Sequence, residues 1–433
     1  MSYPVESCDL LQQAFATRGL NDHTLHARLT FDSTPGIDPE ILRRALAATL
    51  VAIPVLGSRL DEAGRRPQWC EARSEDGGPA LRVVADPDER EALFLQSLDP
   101  ATAPQVRLLL SGDGRELGVM MNHMVTDGGG LKEYLSFLAA TYSGLCADPA
   151  FVPRPITGGR GLGRILRAVP PLRRVAALLG PSHRGDSRVR RAQLGFSAGP
   201  GTAFLATRTL SVETVDRIRT ACHGRGATLN DALLAGLYRV VATQLGARGE
   251  AELVIPIMVD MRRYLPGMTF DTLANLASTV PTTLRFDPDE TYATTLLSVR
   301  DVTVALKRTD LGVGSLAKLD ALFRVAGPRL GRKILELGLD WPNLCMTNLG
   351  RLDPARLSFG ASRPTAAFAC GAIKARPHFQ LAVSEYAGGL TLSAGLIGAD
   401  GDRELVDRIL AGVADQMVQF ADGPIGVGSA PRG

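Results

Sequence analysis

The fold is decided by residues 121–130, which have the sequence MNHMVTDGGG. This stretch follows two apolar runs, at 106–110 and 117–121, which are joined by a Ser-Gly-Asp-Gly segment at 111–114. Apolar runs on either side of an Asp-Gly turn are typical of a β-hairpin. The pattern therefore predicts that His123 lies where the second strand of a hairpin ends.

A helix is predicted after the glycines, because the apolar residues that follow recur at helical spacing. They are Leu131, Tyr134, Leu135, Leu138, Ala139 and Tyr142, and Gly144 is predicted to stop the helix. Gly128, Gly129 and Gly130 are expected to let the backbone bend sharply and to leave N–H groups uncovered near an imidazole. This arrangement suits chemistry on a carbonyl group.

His123 and Asp127 form the candidate catalytic pair. An imidazole can take a proton near neutral pH, and a carboxylate four residues later, across a tight turn, can orient the imidazole or anchor the loop. Gly128, directly after the carboxylate, would permit close approach of a substrate. The alternative is a surface turn with an incidental histidine, but the strand and helix on either side favour the catalytic interpretation.

The segment HMVTDG resembles the His-x-x-x-Asp-Gly active-site motif of the thioester-dependent acyltransferases. That superfamily includes nonribosomal-peptide condensation domains, alcohol acetyltransferases, polyketide-associated acyltransferases and wax ester synthases. The resemblance implies an α+β fold of two chloramphenicol-acetyltransferase-like lobes, each a mixed sheet covered by helices, which form a pseudo-dimer with an interlobe tunnel. Residues 1–190 are expected to form the N-terminal lobe with the motif, and residues 191–433 the C-terminal lobe that completes the tunnel.

Arg262 matches an arginine of the family that follows an interior strand and pairs with the aspartate of the motif. Here the apolar run 253–259 is followed by Asp260-Met261-Arg262. The resemblance implies an ion pair between Asp127 and Arg262 across the lobes, in which the guanidinium is expected to bind the carboxylate in a bidentate manner. Asn275 and the run 277–284 are similar to the family's strand that crosses between lobes.

Weaker motifs supply the remaining site residues. Asn230 and Asp231 resemble the Asn-Asp motif of the wax ester synthases, although ordinary helix capping also explains them. Residues 347–350 are similar to the Ser/Thr-Asn-x-Gly segment that lines the tunnel of alcohol acetyltransferases. The expected tunnel residues are Asn122, Gly129, Asn230, Asp231, Thr347, Asn348 and Gly350.

The sequence also departs from the family. Asn122 occupies the place of the first of two histidines found in many members, whereas the second, which acts in the family, is present as His123. The Asp-Phe-Gly-Trp-Gly motif of plant members, the Ser-x-Ala-Gln opening of condensation domains and the Pro-Leu-Trp segment of wax ester synthases are absent. These departures favour a freestanding bacterial acyltransferase of natural-product or lipid assembly.

The composition is that of an ordinary globular protein. The chain has 433 residues, of which 45% are hydrophobic and 21% charged, and its net charge of +3 does not indicate nucleic-acid binding. No apolar run reaches the roughly 18 residues of a transmembrane helix. Six isolated cysteines indicate neither a zinc site nor a disulfide framework, and a cytoplasmic monomer is expected. Five histidines, His23, His26, His183, His223 and His378, are assigned structural roles.

An arginine-rich segment lies at residues 160–191, with nine arginines against one acid, Asp186. It is interpreted either as a docking surface for an acidic acyl carrier protein or anionic lipid headgroups, or as a solvated linker between the lobes. The linker interpretation is preferred on the sequence alone.

Further elements follow from periodicity and capping. The sequence predicts a strand at 25–31, a helix opened by Asp38 and Pro39, a loop-rich region at 61–104 with strands at 67–70 and 81–84, and a helix opened by Ser211. Helices at 288–335, a hairpin around Gly388-Gly389 and a final helix through Phe420 complete the prediction.

The resemblance implies a reaction in which His123 takes the proton of an alcohol or amine as that group attacks an acyl thioester. The donor would be an acyl-CoA or a phosphopantetheinyl carrier protein, with no bound cofactor or metal, and the amides of 128–130 are candidate donors to the oxyanion. Two alternatives remain: an amide-forming condensation enzyme, and a non-catalytic member that recruits partner synthases.

Overall fold

The computed structural model describes residues 2–32, 36–64, 66–72, 78–179, 192–265, 267, 270–338 and 341–423. The elements before residue 180 are β1 (Ser2–Pro4), α1 (Ser7–Thr17), β2 (Thr24–Phe31), α2 (Pro39–Ala52), β3 (Ser58–Asp61), β4 (Gln68–Glu71), β5 (Leu81–Val84), α3 (Pro87–Phe94), β6 (Val106–Ser111), β7 (Glu116–Asn122), α4 (Gly128–Ala147), α5 (Gly163–Ala168) and α6 (Pro171–Leu179).

The elements after residue 191 are β8 (Thr202–Leu210), α7 (Val212–His223), α8 (Leu229–Gln244), β9 (Ala251–Asp260), β10 (Ala277–Phe286), α9 (Tyr292–Lys307), α10 (Val313–Gly338), β11 (Leu344–Leu352), β12 (Pro364–Cys370), β13 (Lys374–Ala375), β14 (Phe379–Tyr386), β15 (Gly389–Gly398) and α11 (Asp402–Asp422). A short 3-10 helix, Met261–Tyr264, follows β9, and α10 is kinked at Gly327, where φ is +71°.

The first lobe is built on a five-stranded sheet of order β12-β2-β7-β6-β5. Its strands are antiparallel except for the parallel pair of β5 and β6. Helices α2 and α4 bury apolar residues such as Leu42 and Leu131 in one core, and α3 packs Phe94 in a second cluster with Leu109 and Met120. The predicted hairpin and the predicted helix after it are confirmed.

The second lobe is built on a seven-stranded mixed sheet. Its main path is β10-β9-β11-β14-β15-β13, and β8 also pairs with β15. The pairs of β11 with β9 and with β14 are parallel, whereas β10 with β9 and β14 with β15 are antiparallel. Helices α7, α8 and α11 bury residues such as Val215, Leu237 and Ile409 against it. The expected α+β fold with two sheets covered by helices is therefore confirmed.

The lobes are not contiguous in sequence. Strand β12 belongs to residues 364–370 but pairs antiparallel with β2, from Pro364 opposite Phe31 to Cys370 opposite His26. The later part of the chain therefore completes the sheet of the first lobe. The predicted boundary between residues 190 and 191 lies outside the described residues.

Several local predictions were wrong. Helix α4 continues through Gly144 to Ala147, and the three glycines form its first turn instead of a bent connection before it. The region predicted as loop-rich contains α3, whose N-cap Asp86 accepts a hydrogen bond from the Glu89 amide. The arginine-rich segment contains α5 and α6 in its described part. No helix within the described residues has the length and apolarity needed to cross a membrane.

Candidate active site

His123 follows β7 in a turn that Asn122 anchors. The Asn122 side chain donates from Nδ2 to the Leu98 carbonyl at 3.1 Å and accepts at Oδ1 from the Met124 amide at 2.9 Å. Because Asn122 is completely buried and both ends of its amide are used within the protein, it shapes the turn and does not line the cavity described below. The expectation that Asn122 is a tunnel residue is therefore wrong.

The imidazole of His123 is oriented by a backbone carbonyl. Its Nδ1 lies 2.8 Å from the Thr126 carbonyl oxygen. Because a carbonyl oxygen can only accept, Nδ1 carries the proton and Nε2 keeps its lone pair. The Asn275 side chain fixes the same residue from the second lobe, donating from Nδ2 to the His123 carbonyl oxygen at 3.0 Å.

The environment keeps this imidazole neutral. Burial lowers the pKa of His123, and the positive charge of Lys374 lowers it further, whereas the hydrogen bond to Thr126 and the charge of Asp127 raise it. The net pKa lies below the ordinary value of 6.5. The ring is therefore unprotonated, and able to accept a proton, at neutral pH.

Asp127 has a different role, because its carboxylate is occupied by groups other than the imidazole. It is the N-cap of α4 and accepts from the Gly130 amide at 2.8 Å. It also accepts from the Leu276 amide at 2.6 Å and pairs with Arg262, both in the second lobe. Burial acts to raise the pKa of Asp127, but Arg262 and the backbone donors outweigh it, so the pKa is lowered and the group is ionised.

Arg262 contacts Asp127 through one nitrogen. Its Nη1 lies 2.9 Å from Oδ1 and 3.0 Å from Oδ2 of Asp127, and 3.1 Å from Oδ1 of Asp260, while Nη2 donates to the Ala274 carbonyl at 2.9 Å. The structure thus brings together the two residues that the resemblance paired. The expected bidentate fork is wrong, because the second nitrogen is used by the backbone of residue 274.

The three glycines serve close packing. A Cβ on Gly128 would lie 2.1 Å from Leu349 Cδ2, one on Gly129 would lie 2.6 Å from Arg262 Nη1, and one on Gly130 would lie 2.0 Å from Thr126 Oγ1. A side chain at 129 would therefore push directly on the ion pair. The Gly130 amide, one of the three expected oxyanion donors, is already bound to Asp127, and of the three glycines Gly128 lines the cavity.

A cavity of about 870 Å³ opens beside His123 and is lined by both lobes. Its apolar walls come from α1 and β2, from β10 and α10, and from the segments that follow α1 and α10. They include Leu11, Phe15, Leu20, Leu25, Val280, Leu316, Leu319, Leu322, Leu335 and Trp341. Of the predicted site residues, the lining includes His123, Asp127, Gly128 and Thr347.

The other expected tunnel residues lie elsewhere. Asp231 is buried in the capping box of α8, where it also accepts from the Thr303 hydroxyl at 2.7 Å. The side chains of Asn230 and Asn348 approach each other at 3.3 Å away from the cavity lining. Gly350 follows a bulge in β11 and has a φ of +73°, which explains the glycine there.

Several lining residues had no signal in the sequence. The cavity is also lined by Cys345, Lys374, His378 and Gln380. Of these, His378 is assigned only a structural role from the sequence. They meet because β11, β13 and β14 are neighbours in the second sheet or are joined through β15. A local motif could not have identified them.

The arginine-rich segment is partly internal. Arg160 forms a bidentate pair with Asp9, with both nitrogen–oxygen distances 2.9 Å, and its side chain is 10% exposed. Arg164 pairs with Asp271 and Arg173 with Asp310. These three arginines of the predicted docking surface are therefore used within the protein, and residues 180–191 of that surface lie outside the described residues.

Comparisons with known proteins agree with this fold. No family model and no curated protein matches the sequence. The first condensation domain of the calcium-dependent antibiotic synthetase, in complex with a substrate analogue, is similar with a TM-score of 0.68 and 18% identity, over 99% of each chain. Polyketide synthase associated protein 5 from Mycobacterium tuberculosis is similar with a TM-score of 0.63 and 16% identity, over 98% of this chain and 99% of that one.

A third similar structure is trichothecene 15-O-acetyltransferase from Fusarium sporotrichioides. Its TM-score is 0.67 and its identity 12%, over 97% of this chain and 95% of that one. At these identities the comparisons establish the fold. The chain has the two-lobe fold of condensation domains and related acyltransferases, which is the fold that the resemblance implied.

Proposed function

We propose that this protein is an acyltransferase that moves an acyl group from a CoA or carrier-protein thioester to a hydroxyl or amine acceptor, with His123 as the general base. The observation that carries the proposal is an imidazole whose Nδ1 is fixed by the Thr126 carbonyl and whose ring lines a cavity between two lobes. The shared fold with condensation domains and an acetyltransferase supports the same reaction class.

The proposed reaction needs no covalent acyl-enzyme. The acceptor O–H or N–H gives its proton to Nε2 of His123 as the acceptor atom attacks the thioester carbonyl. The tetrahedral intermediate then collapses, the C–S bond breaks, and the departing thiolate takes the proton from the imidazolium. The lowered pKa of His123 favours the neutral form required for the first step.

The oxyanion would be stabilised by donors that face the cavity and are not already bound. The amide of Gly128 and the hydroxyl of Thr347 are the candidates, since both residues line the same cavity as His123. The Gly130 amide is excluded because it donates to Asp127.

The substrate class is proposed from the cavity walls. A volume of about 870 Å³ falls within the range of roughly 300–1,000 Å³ typical of small-molecule sites. Because α1 and α10 contribute mostly leucine and aromatic side chains, we expect part of the acyl donor or acceptor to be an apolar chain.

The amide-forming alternative is kept because a condensation domain is among the similar structures. One assay separates it from ester formation and from a non-catalytic role. The protein is incubated with octanoyl-CoA or an octanoyl carrier protein, with and without alcohol or amine acceptors, while free thiol release is followed and products are weighed by mass spectrometry. Detection of an ester or an amide product then identifies which reaction the protein catalyses.

His123→Ala should reduce acceptor-dependent thiol release by roughly two to four orders of magnitude. The matched control is His223→Ala, an exposed histidine at the end of α7, which should leave the rate unchanged. Acceptor-dependent release that persists in His123→Ala would refute the base, and wild-type protein inert toward both donors and both acceptor classes would favour the recruiting role.

A further inference from the structure

One part of the cavity wall is polar and carries a positive charge. Five residues form this polar patch: Asn21, Asn343, Lys374, His378 and Gln380. They are adjacent in the fold, because Asn21 and Lys374 form an antiparallel bridge and the Phe379 amide, between His378 and Gln380, donates to the Asn343 carbonyl at 2.7 Å. The patch therefore faces the cavity as a unit.

Lys374 is the cation of the polar patch. Within the described part of the chain its ammonium has no hydrogen bond and no carboxylate at ion-pair distance. The nearby Asp22 carboxyl is turned to the backbone, accepting at Oδ1 from the amides of Thr24 at 3.2 Å and Ile373 at 2.9 Å. Burial raises the pKa of Asp22 to about 7, although the charge of Lys374 opposes this shift.

Two further groups of the patch lack partners. Oδ1 of Asn21 and Nδ1 of His378 are buried without a hydrogen bond to any described residue. Asn21 is 7% exposed, so its side chain can reach little except the cavity. Burial and, to a smaller extent, the charge of Lys374 lower the pKa of His378 to about 4, so this ring is neutral at pH 7. Buried polar atoms without partners are uncommon in proteins. Oδ1 of Asn21 can only accept and so needs a donor group of a ligand, whereas Nδ1 of His378 can donate to a carboxylate in the tautomer that places its proton there.

The polar patch lies next to the proposed base. Lys374 is bridged to Asn21, and the amide of His123 donates to the carbonyl of His23, two residues further along the same segment. The charge of Lys374 also acts on the His123 imidazole. A group bound at Lys374 would therefore lie close to the atom that reacts at His123.

We propose that Lys374 binds a carboxylate of the acceptor, so that the acceptor is a hydroxy or amino acid with an apolar chain. Assigning the carboxylate to the acceptor rests on the proposed function, whereas the anion site itself does not. A carboxylate suits the patch better than a phosphate, because Lys374 is the one cation among its five residues. The other cavity cations, Arg173 and Lys318, lie on α6 and α10, and Arg173 is paired with Asp310.

The binding test uses octanoate and 1-octanol, which share an apolar chain and differ in charge. Trp341 lines the cavity, so quenching of tryptophan fluorescence in the 433-residue chain reports occupancy. Wild-type protein should bind octanoate about tenfold or more tightly than 1-octanol. Lys374→Met should remove this preference, and Lys374→Arg, which keeps the charge, should retain most of it. Lys333→Met, an exposed lysine outside the cavity lining, is the matched control and should behave as wild type.

A wild-type protein without preference for octanoate, or a folded Lys374→Met variant that keeps the preference, would overturn the proposal. Circular dichroism and the thermal midpoint establish that each variant is folded, and Lys374→Gln replaces Lys374→Met if the latter is not. In a separate arm, 3-hydroxyoctanoate and its methyl ester are compared as acceptors. If neither compound accepts an acyl group although octanoate still binds, the acyltransferase function is contradicted and the anion site is retained. If both compounds accept the acyl group equally well, the assignment of the bound carboxylate to the acceptor is contradicted.

Discussion

Nη1 of Arg262 lies 2.9 Å from Oδ1 of Asp127 and joins a loop of the first lobe to the start of a 3-10 helix in the second. The same carboxylate caps α4 and accepts from the Leu276 amide. Asp127 is therefore a clamp between the lobes, and the imidazole four residues earlier is oriented by the Thr126 carbonyl instead. The motif therefore combines the proposed base, His123, with a carboxylate, Asp127, that has a structural role.

Breaking this clamp should destabilise the protein. The side chains of Asp127 and Arg262 are 3% and 15% exposed, so removing either leaves the other charge buried. Asp127→Ala and Arg262→Ala are each expected to lower the free energy of unfolding by about 3–5 kcal/mol, measured by urea denaturation. Asp127→Asn, which keeps an oxygen for the cap of α4, should lose less than Asp127→Ala. Inactive variants with wild-type stability would contradict the clamp.

Arg160 should contribute to both stability and turnover. It pairs with Asp9, which is 1% exposed, and its Nη2 also lies 3.3 Å from the carbonyl of Val125, in the loop between His123 and Asp127. Arg160→Ala is expected to lower the free energy of unfolding by about 3–5 kcal/mol, measured by urea denaturation, and to lower kcat by displacing that loop. Arg164→Ala removes a pair whose side chains are 36% and 39% exposed and should cost at most about 1 kcal/mol. Equal effects of the two substitutions would refute this distinction.

The acid sensitivity of folding should depend on His26. Its ring is 1% exposed, lies 5.1 Å from the Phe94 ring and has neither nitrogen hydrogen-bonded to a described residue. Burial lowers the pKa of His26 to about 3, with Arg28 acting in the same direction. Between pH 3 and 6.5 the unfolded chain therefore binds the extra proton, so stability rises with pH in this window and falls on acidification.

His26→Leu should remove this contribution. On acidification from pH 7 to pH 5, the free energy of unfolding of the wild type should fall by about 2 kcal/mol more than that of the variant, as measured by denaturation at each pH. Asp22, with a pKa raised to about 7, acts in the opposite direction in both proteins and so cancels in the comparison. Parallel pH profiles for the two proteins would show that His26 is not the buried neutral group described.

The pH dependence of turnover should follow His123. Because its pKa is lowered by burial and by the charge of Lys374, the neutral base should persist below pH 6.5. The acid limb of the kcat/KM profile is therefore expected below 6.5. Lys374→Met, measured with an uncharged acceptor, should move that limb to higher pH, because the positive charge that opposes protonation has been removed. A limb that stays in place would contradict this coupling.

The elements around His123 could be predicted because their signals are local. The alternating and helical patterns around residues 106–142 define β6, β7 and α4, and Asp38 caps α2 as its sequence suggests. Helix α1 was missed because Asp9 and Gln13 interrupt its apolar face. Both are buried, and their polar groups are satisfied by Arg160, Trp69, Glu62 and Arg332, which are distant in sequence.

The cavity was harder to predict, since its composition depends on sheet register. Cys345 and Gln380 line it together because they are partners in the parallel pair of β11 and β14. Lys374 joins them through a two-residue strand and a single bridge to Asn21. Conversely, Asp231 has the expected position in the sequence but is turned into a capping box. A motif specifies which residues are present, and tertiary pairing decides which of them face the substrate.

The pairing of β12 with β2 has a consequence for biosynthesis. A ribosome must translate beyond residue 370 before β2 receives its outer partner. The backbone N–H and C=O groups along that side of residues 26–31 therefore stay unpaired while the roughly 330 residues between β2 and β12 are added. Such an edge is prone to pairing with other nascent chains. We therefore expect residues 1–190 expressed alone to aggregate, and co-expression with residues 191–433 to rescue them.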